Sequence, residues 1–212
     1  MARRTKEDAM ATRDSILDAA ALLFERQGVS RTTLQHIASA AGVTRGAIYW
    51  HFEDKSAVFN AMLERATMPL ESAMQADDEI SPTDPVADLR AKLLTAFHLT
   101  ATDPKTRRVF EIATHKVEYV DELNGVRDRH LLNFKQWLEQ AETRMQTGIR
   151  HGVLRPDLDA RATAISLWAI TDGLIRLWLL TPSTFDIEQV GRSMVDAQID
   201  SLYLAGHAPA RR

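Results

Sequence analysis

Apolar residues recur along this chain at helical spacing, and nowhere do they alternate at period two for long enough to build a sheet. Ile16, Leu17, Ala20, Leu23 and Phe24 fall at i, i+1, i+4, i+7 and i+8, which is one face of a helix. Thr5 with Asp8 offers a capping box at its start, and Gly28 suits the left-handed residue beyond its end. Leu34, Ile37, Ala38 and Ala41 form a second apolar set, with Thr33 as N-cap and Gly42 as the stop. Thr44 can cap a short segment from Arg45 to His51. Phe52 to Lys55 then read as a turn, and Ala57, Val58, Ala61 and Met62 open a longer helix. The stretch DDEISPTDP at 77–85 joins acids, two prolines and turn formers, and reads as a loop. Helical patterns follow at 86–102, 104–118, 124–150, 159–180 and 187–204, with Asp103, Asp159 and Asp186 as cap candidates. The expected fold class is all-α.

With 212 residues, of which 45% are hydrophobic, the chain can bury a sizeable core and is not disordered as a whole. It has no cysteine, which excludes disulfides, thiolate metal sites and a cysteine nucleophile. The N-terminus, MARRTKEDAMATRDS, has no apolar core of a signal peptide. The most apolar stretch, Ala164 to Leu180, carries Asp172 and Arg176 and is shorter than the roughly 20 residues of a membrane span. It reads as a buried core helix of a cytoplasmic protein. The formal net charge is −3, yet residues 1–55 hold eight basic against seven acidic side chains. Any nucleic-acid signal therefore lies in where the charges sit.

They cluster around TLQHIASAAGVTRGAIYWHF, residues 33–52. A helix–turn–helix needs a small residue where its helices touch, a turn glycine and apolar residues from both helices in one core. Ala38 supplies the contact, Gly42 the turn, and Ile37, Val43 and Ile48 the core. The second helix would enter the major groove with its N-terminal residues against the bases. Arg45 suits a guanine edge, and Gly46 and Ala47 are small enough for a close approach to DNA. Thr44 offers a hydroxyl to phosphate, and Tyr49 and His51 carry polar tips on rigid rings. Lys55 opens the next helix, Arg31, Thr32 and Thr33 precede the first, and Arg3, Arg4 and Lys6 form a basic arm. The competing reading is a plain helical hairpin with Tyr49, Trp50 and Phe52 as core aromatics.

Ile16 to Phe59, ILDAAALLFERQGVSRTTLQHIASAAGVTRGAIYWHFEDKSAVF, resembles the DNA-binding region of the TetR family of transcriptional repressors. The opening MARRTKEDAMATRDSILDAA and the later TRRVFEIATHKVEY, GVLRPDLDA and DGLIRLWLL resemble its multidrug-efflux branch, the AcrR type. The resemblance implies an N-terminal three-helix helix–turn–helix domain and a larger C-terminal helical domain for ligand binding and dimerisation. The expected boundaries are 1–55, 56–206 and a disordered tail at 207–212. It implies a homodimer on palindromic operator DNA, released by a small hydrophobic effector. Thr33, Thr44, Arg45, Tyr49, His51 and Lys55 match DNA-contacting positions, while Trp50 matches a variable one, open between packing and a backbone contact.

Phe97, Phe110, Phe134, Trp137, Trp168 and Trp178 each suit core packing, and as a group they suit an apolar ligand pocket. Glu111, Thr114 and His115 lie within about one helical turn of one another. His115 reads best as a satisfied core histidine, with a hydrogen bond donated to ligand or a solvated ring as the alternatives. Asp172 is either an i,i+4 partner of Arg176 or a polar anchor for ligand, and the sequence leaves both open. The apolar faces of the last two helices suit a four-helix dimer interface. The seven histidines show no HxxxH or HExxH spacing, so no metal and no cofactor is expected. The chain has no GxSxG elbow, P-loop or GxGxxG, which argues against an enzyme. The alternative to drug-efflux control is a regulator that responds to a lipid, an acyl thioester or a phenolic metabolite.

Overall fold

The computed structural model describes residues 6–75, 81, 83–116 and 124–209. Among them are nine helices: α1 (Lys6–Gln27), α2 (Leu34–Ala41), α3 (Arg45–His51), α4 (Lys55–Gln75), α5 (Ala87–Thr102), α6 (Pro104–His115), α7 (Asn124–Arg150), α8 (Ala160–Leu180) and α9 (Ile187–Asp200). The all-α expectation is met. Arg3, Arg4, Thr5, most of the 77–85 loop, the end of the 104–118 pattern and the last three residues of the tail lie outside the described residues.

The chain divides into two compact units, residues 1–68 with 105–130, and residues 69–104 with 131–212. In the first, the apolar stripe of α1 meets α2, α3 and α4. Ile16, Leu17, Phe24, Ile37, Ala38, Ile48, Phe52, Phe59 and Met62 form one buried cluster. The rings of Phe24 and Phe59 lie 5.8 Å apart. Helix α6 belongs to this core through Val109 and Ile112. Arg108 Nε donates to Glu25 on α1 at 2.9 Å, and the Val29 N–H donates to the Lys116 carbonyl at 3.3 Å. Helix α1 ends where Gly28 turns to φ 82° and its N–H closes on the Phe24 carbonyl.

In the second unit α5, α8 and α9 pack together. A Cβ on Gly191 would lie 2.4–2.8 Å from the ring of fully buried Phe97, so only glycine lets α9 come this close to α5. Asp88 accepts from Lys92 at 3.3 Å and also from Arg144, and all three are largely buried. The carboxylate between two cations offsets the cost of burying them.

Two expectations change here. The 187–204 pattern ends as helix at Asp200, because the next residues turn back to pair with the stretch after α7. The Arg155 N–H donates to the Leu202 carbonyl at 2.9 Å, and the Leu204 N–H to Val153 at 3.1 Å. Leu202 and Tyr203 are buried although they lie beyond the helix. Helix α8 is not a fully buried core helix either. It buries Ala164, Leu167, Thr171, Trp178 and Leu179, yet Ile165, Leu177 and Leu180 are exposed. Among the described residues it is the one helix long and apolar enough, by length and composition alone, to cross a membrane.

Replacing Gly191 by alanine should lower stability by about 1–3 kcal/mol through overpacking against Phe97. Urea denaturation checks this, and an unchanged midpoint would contradict the close approach.

Candidate functional site

The geometry of the first unit starts at Thr33. Its backbone is extended, and its hydroxyl accepts the His36 N–H at 3.2 Å. His36 Nδ1 accepts the Thr33 N–H in return at 3.4 Å, so α2 begins with a capping box in which histidine stands where glutamate or glutamine is usual. Helix α2 stops at Gly42, at φ 67°. The Gly42 N–H closes on Ser39 and the Val43 N–H on Ala38, at 3.3 and 3.0 Å, the pair of bonds of a Schellman turn. This turn requires the left-handed residue, and glycine adopts it without a Cβ penalty. Thr44 is again extended, and its hydroxyl caps α3 by accepting the Ala47 N–H at 3.2 Å. The bounds Arg45–His51 agree with those expected from the sequence.

Helix α3 is anchored on one side only. Ile48 is fully buried, and Phe52 at its end is 5% exposed beneath the Arg13 guanidinium. Tyr49 and Trp50 are 49% and 73% exposed, so the hairpin reading with three core aromatics holds for Phe52 alone. The Trp50 ring stands edge-on to His51 at 4.5 Å. Arg45, Gly46 and Thr44 are exposed, while Ala47 and His51 are half-buried. Arg45 Nη2 donates to the Tyr49 hydroxyl at 3.2 Å, and its guanidinium lies 5.5 Å from the centre of that ring. The hydroxyl bond first, and then electrostatic attraction to the phenol, hold the Arg45 pKa above its ordinary value.

Lys55 starts α4 and donates to the Ser30 carbonyl at 3.4 Å, three residues before Thr33. The first unit therefore carries Thr33, Thr44, Arg45, Gly46, Ala47, Tyr49, His51 and Lys55 on or beside two short capped helices. Sequence reasoning missed Asp54, whose carboxylate accepts the Ala57 N–H at 2.7 Å and so caps α4. An aspartate just before an apolar set was the available signal. It also missed His36 as a capping partner.

The effector candidates fall into separate groups. Phe134 and Trp137 on α7 flank Trp168 on α8, at 5.3 and 5.4 Å between ring centres. Trp137 is buried, and the other two are half-buried. Arg176 Nε donates to Asp172 at 2.6 Å, and both side chains are well exposed, so Asp172 is not a buried charge. Trp178 donates its indole N–H to the Phe185 carbonyl at 3.2 Å, and Phe97 packs on Gly191. Phe110, Glu111, Thr114 and His115 lie on α6 in the first unit, all half-buried. His115 does not match the satisfied core histidine expected, because its Nε2 is buried and has no hydrogen-bond partner among the described residues. A shallow groove of about 200 Å³ is lined by Leu94, Thr95, His98, Glu188 and Arg192, none of them among the candidates.

Two short capped helices with a Schellman turn between them, and a second helix that exposes Arg45 and Tyr49, define a helix–turn–helix DNA-binding regulator. Residues 16–62 match the family of bacterial regulatory proteins of the tetR type, and residues 84–204 match the C-terminal region of MAATS-type transcriptional repressors. The chain belongs to the TetR family of transcriptional regulators, which are DNA-binding proteins and not enzymes. It is 38% identical over 205 residues to the transcriptional regulator TtgR of Pseudomonas putida, covering 97% of this chain and 98% of that one. It superposes with a TM-score of 0.84 on NalD, the secondary repressor of the MexAB-OprM multidrug efflux pump in Pseudomonas aeruginosa. That match is 34% identical over 94% of this chain and 100% of NalD. On a complex of SmeT with triclosan the TM-score is 0.82, with 30% identity over 94% of this chain and 95% of that one. SmeT is the repressor of the Stenotrophomonas maltophilia multidrug efflux pump SmeDEF.

Trp50→Ala should leave the unfolding midpoint unchanged, whereas Phe52→Ala should cost about 3–5 kcal/mol. Thermal melts of the two variants check this. A large loss with Trp50→Ala would mean that the indole packs in a core.

Proposed function

We propose that this chain is a repressor of a multidrug efflux operon, bound to a palindromic operator as a homodimer and released by a hydrophobic drug. The observation that carries this is its near full-length likeness to TtgR, NalD and SmeT, which spans both the DNA-binding and the C-terminal regions. The residues proposed to meet DNA are Thr33, Thr44, Arg45, Gly46, Ala47, Tyr49, His51 and Lys55. Arg45 reads a guanine edge, and the hydroxyls and Lys55 hold phosphate. Residues 1–55 carry the DNA contacts and 56–206 the effector and dimer contacts. Helix α6 counts with the effector stretch by sequence and packs in the core of the first unit, which suits an element that links binding to release. A role on operator DNA supports a cytoplasmic location.

The ring cluster of Phe134, Trp137 and Trp168 supports an aromatic effector, which would stack there. Trp168, Asp172 and Arg176 follow at four-residue steps on α8, so the ion pair shares a face with the rings and offers polar contacts to the same ligand. The complex of SmeT with triclosan supports a small chlorinated phenolic ligand as the chemical type. Phe110, Glu111, Thr114 and His115 are the remaining candidates, on α6 in the first unit. The Nε2 of His115, without a partner among the described residues, favours a ligand bond for that residue. The exposed Ile165, Leu177 and Leu180 on α8 and Met194 on α9 support burial against a second copy.

Arg45→Ala should weaken operator binding by about 1–3 kcal/mol and relax specificity at one base step, with binding to random duplex little changed. Fluorescence anisotropy at fixed salt checks it. An equal loss on operator and random DNA would mean that Arg45 contacts backbone only. With about four cations per subunit on phosphate, the log–log salt slope of the dimer should be about −7.

A further inference from the structure

The Arg45 side chain projects from α3 and is exposed. A free arginine there would sample many rotamers, and an arm that reads one base edge must stop sampling them. Among the described residues this guanidinium has one hydrogen-bond partner, the hydroxyl of Tyr49, one helical turn along the same face. It also lies 5.5 Å from the centre of the Tyr49 ring, which limits its sideways swing. The bond uses a single N–H of Nη2 and leaves four of the five donors unspent. The phenol ring itself has two side-chain torsions and stands on a helix anchored by Ile48.

We propose that Tyr49 is a positioning residue, which holds the Arg45 guanidinium ready for the O6 and N7 of a guanine, so that base selectivity belongs to the pair. This rests on the reading of α3 as the DNA-reading helix. It assigns Tyr49 a part in specificity, beyond a phosphate contact of its own. The phenol oxygen accepts from Arg45 and keeps its proton for a phosphate oxygen, so overall affinity does not separate the two roles. The ratio of affinities for two duplexes that differ only at a base edge does separate them.

The experiment uses the full-length protein and a duplex selected by it from genomic fragments. Each guanine is replaced in turn by 7-deazaguanine, which removes N7 and leaves the backbone intact. For the wild type, one guanine should show a loss of roughly ten- to hundredfold that is absent in Arg45→Ala. Tyr49→Phe keeps the ring and loses the hydroxyl. It should reduce that discrimination roughly three- to tenfold. In an Arg45→Ala background it should change the discrimination no further. Circular dichroism should show the same helicity and melting in all variants, because both side chains are exposed. If Tyr49→Phe leaves the guanine discrimination intact, the positioning role is overturned, whatever happens to overall affinity. If no guanine depends on Arg45, the reading of Arg45 fails first and takes the proposal with it.

Discussion

The first unit depends on the turn at Gly42. Its left-handed backbone lets two N–H groups close on the end of α2, and that closure sets the direction in which α3 leaves. Ile48 and Phe52 then have to face the core formed by Ile16, Phe24, Ile37 and Phe59, because one side of a seven-residue helix is all they can occupy. The opposite side is left to Arg45, Tyr49 and Trp50. A side chain at position 42 would strain the turn, and the exposure of the reading residues would shift with it. The polar surface of α3 is thus a consequence of where its apolar side must go.

Much of this was legible in the sequence because capping chemistry is local. Thr33, Thr44, Asp159 and Asp186 each cap the helix that follows them, and Gly28 and Gly42 take positive φ. These outcomes need only a few neighbouring residues, so pattern and propensity suffice. What failed was long-range. The apolar run at 202–204 looked like helix until its backbone paired with residues 153–155, some fifty positions away. The run in α8 looked like core because hydropathy does not say which neighbours exist. One stripe of it meets α5 and α9, while Leu177 and Leu180 stay exposed among the described residues.

The same distinction applies to the site. The residues proposed to meet DNA sit on one short, contiguous stretch, so sequence alone could gather them. The effector candidates come from four helices, and periodicity could not tell which of them share a neighbourhood. Phe134, Trp137 and Trp168 do meet, and Asp172 with Arg176 forms the helix pair that spacing allowed. Phe97 is committed to Gly191, and the four candidates on α6 belong to the other compact unit. The buried nitrogen of His115, unpartnered among the described residues, was invisible to any pattern, since hydrogen-bond satisfaction is a property of packing.

In the proposed function a drug-like molecule and an operator compete for this protein through linked states. The most direct measurement is fluorescence anisotropy of the selected genomic duplex, bound at fixed salt, during titration with triclosan. A saturable fall to the anisotropy of free DNA, with a random duplex unaffected, is the predicted result. A complex that stays bound while triclosan demonstrably binds the protein would contradict drug-released repression.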